Sequence, residues 1–225
     1  MDAVIKIGGS LAEDPERLRV LCTKLSEFAK KYAIVVVPGG GRFADVVRDF
    51  DQRFNLSSGI SHRMAILGMD QFGLLLAQII PNSCATYLLN DAKQLSEIRV
   101  VPIFLPSRLM FREDPLENSW NVTSASIAAY VASRLHVAKV LLVTDVDGIF
   151  TKDPKKHADA ALIGRLSAEE LLKFNQRTSV DRYLPKLLLE SQIDCYVVNG
   201  KHPERIEAIL AGQQTTCTLI AARTE

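Results

Sequence analysis

Three short segments carry the residue types that phosphate chemistry needs. The first is Lys6-Ile7-Gly8-Gly9-Ser10, where a lysine stands just before two glycines and a hydroxyl. Glycines let a phosphate approach backbone N–H groups closely, and a helix starting after them offers its positive end. Because the lysine precedes the glycines, this is not the P-loop pattern. Taken alone, Gly8-Gly9 reads equally well as a tight strand-to-helix turn. The second segment is Pro38-Gly39-Gly40-Gly41-Arg42. Three consecutive glycines cost roughly 0.5 to 1 kcal/mol of backbone entropy each, more than a plain turn calls for. Arg42 offers a planar fork to an anionic acceptor, or is a solvated surface arginine. The third segment runs Thr144-Asp145-Val146-Asp147-Gly148-Ile149-Phe150-Thr151-Lys152-Asp153-Pro154. Its acids can order a lysine or hold Mg²⁺ through water; as an Asx-type turn they would only satisfy nearby backbone donors.

Each segment needs a rigid element to aim it. Residues 4–7 read as a strand and 14–31 as an amphipathic helix, with Leu18, Leu21, Leu25 and Phe28 on one face. The unit repeats: 33–37 is a five-residue apolar run, and after the glycines a helical pattern passes through Phe43, Val46, Val47 and Phe50, whose stripe reads as core. Continuous apolar strands alternating with helices indicate a parallel sheet covered on both faces. Further along, 62–80 reads as a helix that buries most of its apolar residues, 100–105 as a strand, 107–118 as irregular, and 124–135 as a helix. Residues 140–144 form a buried strand whose carboxyl end carries the acidic loop, the place where open α/β sheets bind ligands. Helices are expected at 167–174, 180–191 and 203–211, a strand at 195–198, and an edge strand at 218–221. The fold class is α/β, a three-layer α/β/α sandwich with a mainly parallel central sheet, over one domain spanning 1–225.

A chain of 225 residues with 48% hydrophobic content can bury a sizeable core, which excludes a disordered chain. With 27 basic and 26 acidic residues there is no global positive field of the kind that draws a protein to nucleic acid or anionic membrane. Cys22, Cys84, Cys195 and Cys217 lack metal-ligand spacing and read as reduced core thiols, which suits a cytoplasmic protein. Residues 1–6 contain no signal-peptide pattern, and the longest apolar stretches are strand-sized, so no membrane span is expected.

In this order, the three segments resemble the amino acid kinase family, which includes acetylglutamate, glutamate, aspartate, carbamate, uridylate and isopentenyl phosphate kinases. The resemblance spans almost the whole chain and implies ATP as donor, Mg²⁺ held mainly by the nucleotide, and a homo-oligomer. It assigns Lys6, Gly8, Gly9 and Ser10 to the transferring phosphate and Gly39, Gly40 and Gly41 to the acceptor. Thr144, Asp145, Asp147, Gly148, Ile149, Phe150, Lys152 and Asp153 then border ATP. The acceptor part occupies about 1–120 and the nucleotide part about 121–225. Segments such as Ser61-His62-Arg63-Met64-Ala65-Ile66, Asn118-Ser119-Trp120 and Thr178-Ser179-Val180-Asp181 are similar to members whose acceptor is itself a phosphate. Isopentenyl phosphate kinases usually place a histidine after the glycine loop, and this chain reads Arg42-Phe43-Ala44-Asp45 there.

One departure concerns the family Asp ahead of the nucleotide strand, which would organise the positive groups around the transferring phosphate. This chain has Thr123-Ser124-Ala125-Ser126 there. An inactivating substitution is the first reading of Ala125; the others are compensation by a neighbour such as Asp181 and an alignment offset of one residue. Lys186 lies near the place of a distal lysine that many members bring to ATP, and otherwise reads as an exposed helix residue. The catalytic set is thus Lys6, Gly9, position 125 and Lys186, with backbone N–H groups of Gly8, Gly9 and the 39–41 loop neutralising charge.

The remaining candidates are read from position. His62 and Arg63 open a helix and face an acceptor phosphate, or cap and coat it. Asn199 and His202, at a strand's carboxyl end, reach a base or ribose. Trp120 stacks on an aromatic acceptor or packs at the core edge. Thr123 and Asp181 complete the acceptor set.

Overall fold

The computed structural model describes residues 1–152, 154, 156–174 and 179–222. Among them the strands are β1 (Ala3–Ile7), β2 (Ile34–Pro38), β3 (Ser83–Thr86), β4 (Val101–Phe104), β5 (Lys139–Thr144), β6 (Ile149–Phe150), β7 (Leu162–Ile163), β8 (Arg165–Ser167), β9 (Asp194–Asn199) and β10 (Thr218–Ala221). The helices are α1 (Pro15–Ala29), α2 (Gly41–Phe54), α3 (Ser58–Ile79), α4 (Leu89–Glu97), α5 (Ser107–Glu113), α6 (Ser124–Arg134), α7 (Ala168–Leu172), α8 (Leu184–Ser191) and α9 (Pro203–Leu210). A 3₁₀ turn, Gly9–Glu13, links β1 to α1. Eight strands form one sheet in the order β3-β4-β2-β1-β5-β9-β10-β8, and β6 pairs with β7 in a separate antiparallel hairpin. All pairings in the large sheet are parallel except β9 with β10.

Alternation along the strands divides the core into two layers, because successive side chains of a strand face opposite ways. Ala3, Ile5 and Ile7 of β1 join Val36, Leu141 and Val143 against α1 and α9. Val4 joins Val35, Val37, Val140 and Leu142 against α6 and α8. Lys6 is two residues beyond Val4 and in register with Val37 and Leu142, so it faces the α6 side.

The α/β/α sandwich expected from the apolar runs is the observed architecture, with local corrections. Residues 107–118 are not wholly irregular, because Ser107–Glu113 is helical; at seven residues it is too short to show a period, and its start is held from α3. There the Asp70 carboxylate accepts from the backbone N–H of Ser107 at 3.2 Å and from its hydroxyl. Thr218–Ala221 is not an edge, since β8 lies outside it. The helices expected at 62 and 180 begin at Ser58 and Leu184. The Phe43, Val46 and Phe50 stripe is not core: these residues are 40%, 52% and 39% exposed, and α2 instead buries Ala44 and Val47. A Cβ on Gly68 would lie 3.1 Å from Phe43 Cβ and 3.2 Å from Ala44 N, so α2 and α3 meet through small residues and the large ones turn outward. Leu67 and Leu75 of α3, expected to be buried, are exposed as well. Of the cysteines, Cys22 and Cys195 are buried, but Cys84 is exposed and Cys217 half-buried. Burial pushes the Cys22 thiol up to about 12. No helix among the described residues is long and apolar enough to cross a membrane.

Candidate functional site

The two glycine segments lie side by side because β1 and β2 are neighbours and each ends at the same height, Ile7 opposite Pro38. Their contact is backbone on backbone. A Cβ on Gly9 would sit 2.1 Å from Gly41 Cα, and one on Gly39 would sit 2.9 Å from Gly9 N. Gly41 has φ +53, in the left-handed region that glycine adopts at least cost. The cost of three glycines is thus explained by two backbone segments touching at Gly39 and Gly41, and at Gly40 by Ala44, whose Cβ would lie 2.5 Å from an added Cβ.

Not every glycine N–H in these loops is turned to a ligand. Gly8 N donates to Val143 O at 2.7 Å and Gly39 N donates to Ile7 O at 2.8 Å. Both extend the sheet by one rung, which corrects the expectation that the Gly8 and Gly39 amides neutralise phosphate charge. Gly9, Gly40 and Gly41 are left as the loop amides for that task.

Beside these loops lies a cavity of about 490 Å³. It brings together Lys6, Gly8, Gly9, Ser10, Gly40, Gly41, Arg42, His62, Trp120, Thr123 and Thr144 from the sequence-derived set. A second cavity of about 370 Å³ adjoins it across Ser10, with Asp145 and Gly200 in its wall. The Asp145 carboxylate accepts from the hydroxyls of Ser10 and Thr144, each at 3.2 Å, so the first and third segments are joined directly.

Lys6 is largely enclosed. Burial lowers its pKa from the usual lysine value, while the carboxylates of Asp181 and Asp145 oppose that effect and favour the ammonium. Asp181 is the more firmly held of the two. It accepts from Thr123 N at 2.9 Å, Thr123 Oγ1 at 2.7 Å, Ser126 N at 3.1 Å, Ser126 Oγ at 2.5 Å and Leu184 N at 2.9 Å. These donors include the amides of Thr123, the N-cap of α6, and of Ser126 in its first turn, which is electropositive. The Ala125 methyl points into the core, and the residue is only 3% exposed.

Also in the cavity wall, Arg42 makes a bidentate pair with Glu13 at 2.7 and 2.6 Å. His62 lies in the second turn of α3 rather than at its start, and it is buried. Burial pulls its imidazole below the usual value, with Asp114 and the Ser119 backbone opposing. Trp120 is not core: its indole N–H donates to Asp51 at 2.7 Å and the Arg48 guanidinium sits 4.7 Å over its ring. Sequence reasoning missed Glu13, Asp45, Arg48, Met69 and Ser179, which also line the cavity. Gly41, Ala44, Asp45 and Arg48 share one helical face, a signal readable once the start of α2 is placed at the glycines.

Several candidates lie away from the cavity wall. Arg63 sits over the Phe111 ring at 5.5 Å. Lys186 is exposed, 4.0 Å from Glu190 and over the Tyr183 ring, which places it on the surface. Lys152 pairs with Asp159 on the surface, and Asp153 and Thr178 lie outside the described residues. Asp147, Asn199 and Arg205 form a cluster: Asp147 accepts from Asn199 Nδ2 at 3.0 Å and from Arg205 at 2.6 Å. Burial raises the Asp147 pKa, but Asn199 and Arg205 outweigh it and hold the carboxyl below its usual value. Gly148 is pressed against Thr218, whose hydroxyl accepts from Ile149 N at 2.7 Å, and Phe150 continues the hairpin. His202 is half-exposed beside Glu204 at 3.3 Å. Among the described residues, no group of three or more His, Cys, Asp or Glu side chains is placed to hold a metal ion.

An α/β/α sheet with two touching glycine loops, a largely enclosed lysine and a cavity beside them makes up the candidate site. The amino acid kinase family profile matches residues 1–212, and the chain belongs to that family. The [5-(aminomethyl)furan-3-yl]methyl phosphate kinase of Methanocaldococcus jannaschii is 39% identical, over 96% of this chain and 96% of its own. The uridylate kinase of Thermofilum pendens is 27% identical over 98% and 97%. The crystal structure of uridylate kinase from Archaeoglobus fulgidus superposes with a TM-score of 0.78 at 24% identity, covering 98% of this chain and 100% of that one.

Proposed function

We propose that this chain is an ATP-dependent kinase that phosphorylates [5-(aminomethyl)furan-3-yl]methyl phosphate to its diphosphate, a step of methanofuran biosynthesis. The observation that carries the reading is that Lys6 and two glycine loops in backbone contact line one cavity. The relative from Methanocaldococcus jannaschii, similar over nearly its whole length, supports this choice of acceptor.

The transfer is in line. An oxygen of the acceptor phosphate forms a bond to the γ-phosphorus as the bond to the β,γ-bridging oxygen breaks, and ADP departs with that oxygen. A phosphate oxygen is already anionic near neutral pH and needs no general base. Lys6 and the amides of Gly9, Gly40 and Gly41 stabilise charge on the moving group. Mg²⁺ would be held chiefly by the nucleotide and would supply neutralisation of phosphate charge, with Asp145, in the wall of the second cavity, a carboxylate that would reach it through water. Trp120 offers a face to the furan, and Arg42 a fork to the acceptor phosphate if Glu13 releases it.

The protein is read as cytoplasmic and homo-oligomeric. Exposed Phe50 and Phe54 on α2 and Leu67, Leu74 and Leu75 on α3 support contact between copies there. A light-scattering mass equal to one 24.9 kDa chain would remove that part.

The test is ADP release from ATP and Mg²⁺ with the aminomethylfuran phosphate, UMP and isopentenyl phosphate offered side by side. The furan phosphate should give the highest kcat/KM. Faster turnover of UMP would move the assignment to a nucleoside monophosphate, and ATP binding without turnover on any acceptor would make the protein a nucleotide sensor.

A further inference from the structure

Lys6 carries the charge that the transfer requires, yet an ammonium on an enclosed strand needs a fixed counter-charge to hold it in place. The chain offers none at position 125, where a buried methyl belongs to the apolar core between the sheet and α6. The face of β1 that presents Lys6 is the face covered by α6. At the start of that helix sits one carboxylate, that of Asp181, delivered by a segment 55 residues downstream of Ser126.

We propose that Asp181 is the positioning residue of the phosphoryl-transfer site: anchored to the first turn of α6, it fixes the Lys6 ammonium at the cavity floor. This deepens the kinase reading and rests on it. The anchorage is extensive, with five donors from Thr123, Ser126 and Leu184 converging on the two carboxylate oxygens. Charge-assisted bonds of this number leave the group little freedom to turn. Ser179, two residues before Asp181, lines the cavity with Lys6, and its hydroxyl donates to Gly148 O at 3.4 Å, so the segment that carries Asp181 touches both the cavity wall and the acidic loop after β5. Ala125 is therefore a compensated position. A carboxylate added there would be buried in the core and would share one helix start with Asp181, and two like charges in one site cannot both ionise without cost.

The experiment compares the unchanged chain with Asp181→Asn and Ala125→Asp, reading kcat and KM for ATP across pH, together with Lys6 titration by NMR of ¹³Cε-labelled lysine. Lys6→Arg assigns the resonance. Asp181→Asn should lower kcat about 100-fold with KM for ATP nearly unchanged. It should also move the Lys6 titration and the basic limb of the rate profile to lower pH, because the ammonium loses its carboxylate. Ala125→Asp should lower kcat as well.

A folded Asp181→Asn chain whose Lys6 titration and kcat are unchanged overturns the proposal. So does an Ala125→Asp chain that turns over ten times faster or more, an outcome readable even if Asp181→Asn fails to fold. If the unchanged chain phosphorylates no phosphate acceptor while the Lys6 titration still follows Asp181, the pairing stands and the kinase reading fails.

Discussion

The two ends of the site are built by opposite means. At the glycine end, β1 and β2 bring backbone against backbone, and a single added methyl at Gly9 would overlap Gly41. At the other end, beyond β5 and β9, residues are held by side-chain bonds across the chain: Asp147 to Asn199 and Arg205, Asp145 to Ser10, Asp181 to Thr123 and Ser126. The first end is limited by space, and the second by charge and hydrogen bonding. Steric closeness tolerates almost no substitution, whereas a polar network can draw an equivalent group from another segment. Ala125 and Asp181 are an instance of the second.

The largest break in this contrast is Lys6→Ala, which should cost orders of magnitude in turnover while circular dichroism and the unfolding midpoint stay close to those of the unchanged chain. Turnover within a few-fold of normal would remove Lys6 from the chemistry. Gly9→Ala comes next. It should destabilise by at least about 2 kcal/mol through overpacking and abolish most activity, as read by urea unfolding and ADP release. A neutral result would mean that the loops separate easily, contrary to a site limited by space.

Among polar groups the effects should be graded. Because burial lowers the Lys6 pKa, the ammonium is lost below the ordinary lysine range. Activity should therefore fall on the alkaline side before free lysine would titrate, and Lys6→Arg should push that limb upward in whatever activity remains. A limb at the same pH in both would detach it from Lys6. Arg205→Met, which unties Asp147, should raise KM for ATP about tenfold and spare kcat more, since the pair holds the loop rather than the reacting group. An unchanged KM for ATP would place the nucleotide elsewhere.

The smallest effect belongs to Arg42, whose side chain is 81% exposed and paired with Glu13. Arg42→Ala should leave the unfolding midpoint unchanged within error, because exposed pairs add little stability. KM for the acceptor should rise less than about tenfold. A large loss of kcat would show that Arg42 leaves Glu13 and reaches the reacting phosphate.

Both glycine loops, the buried strands β1, β2 and β5, and the acidic loop after β5 were legible in the amino-acid order. Their causes are local: three glycines in a row, or five apolar residues without alternation, have few physical explanations. The seven-residue helix α5 was not legible, because its start is held by Asp70 from α3. The outward turn of Phe43, Val46 and Phe50 was not either, since helix periodicity finds an apolar stripe but not whether a neighbour such as Gly68 lets small residues occupy the contact.

The sequence by itself determined the family resemblance, the alternation of strands and helices, and Lys6 as the lysine that precedes the first glycine loop. Tertiary structure alone decided which glycine amides are spent on the sheet, that Asp45 and Arg48 join the cavity wall, and that Asp181 stands at the start of α6. Local order follows from steric and hydrophobic rules that act over a few residues. That a lysine at position 6 and a carboxylate at 181 come near the same end of one sheet face follows only once the fold has placed β1 beneath α6 and bonded Asp181 to the start of that helix.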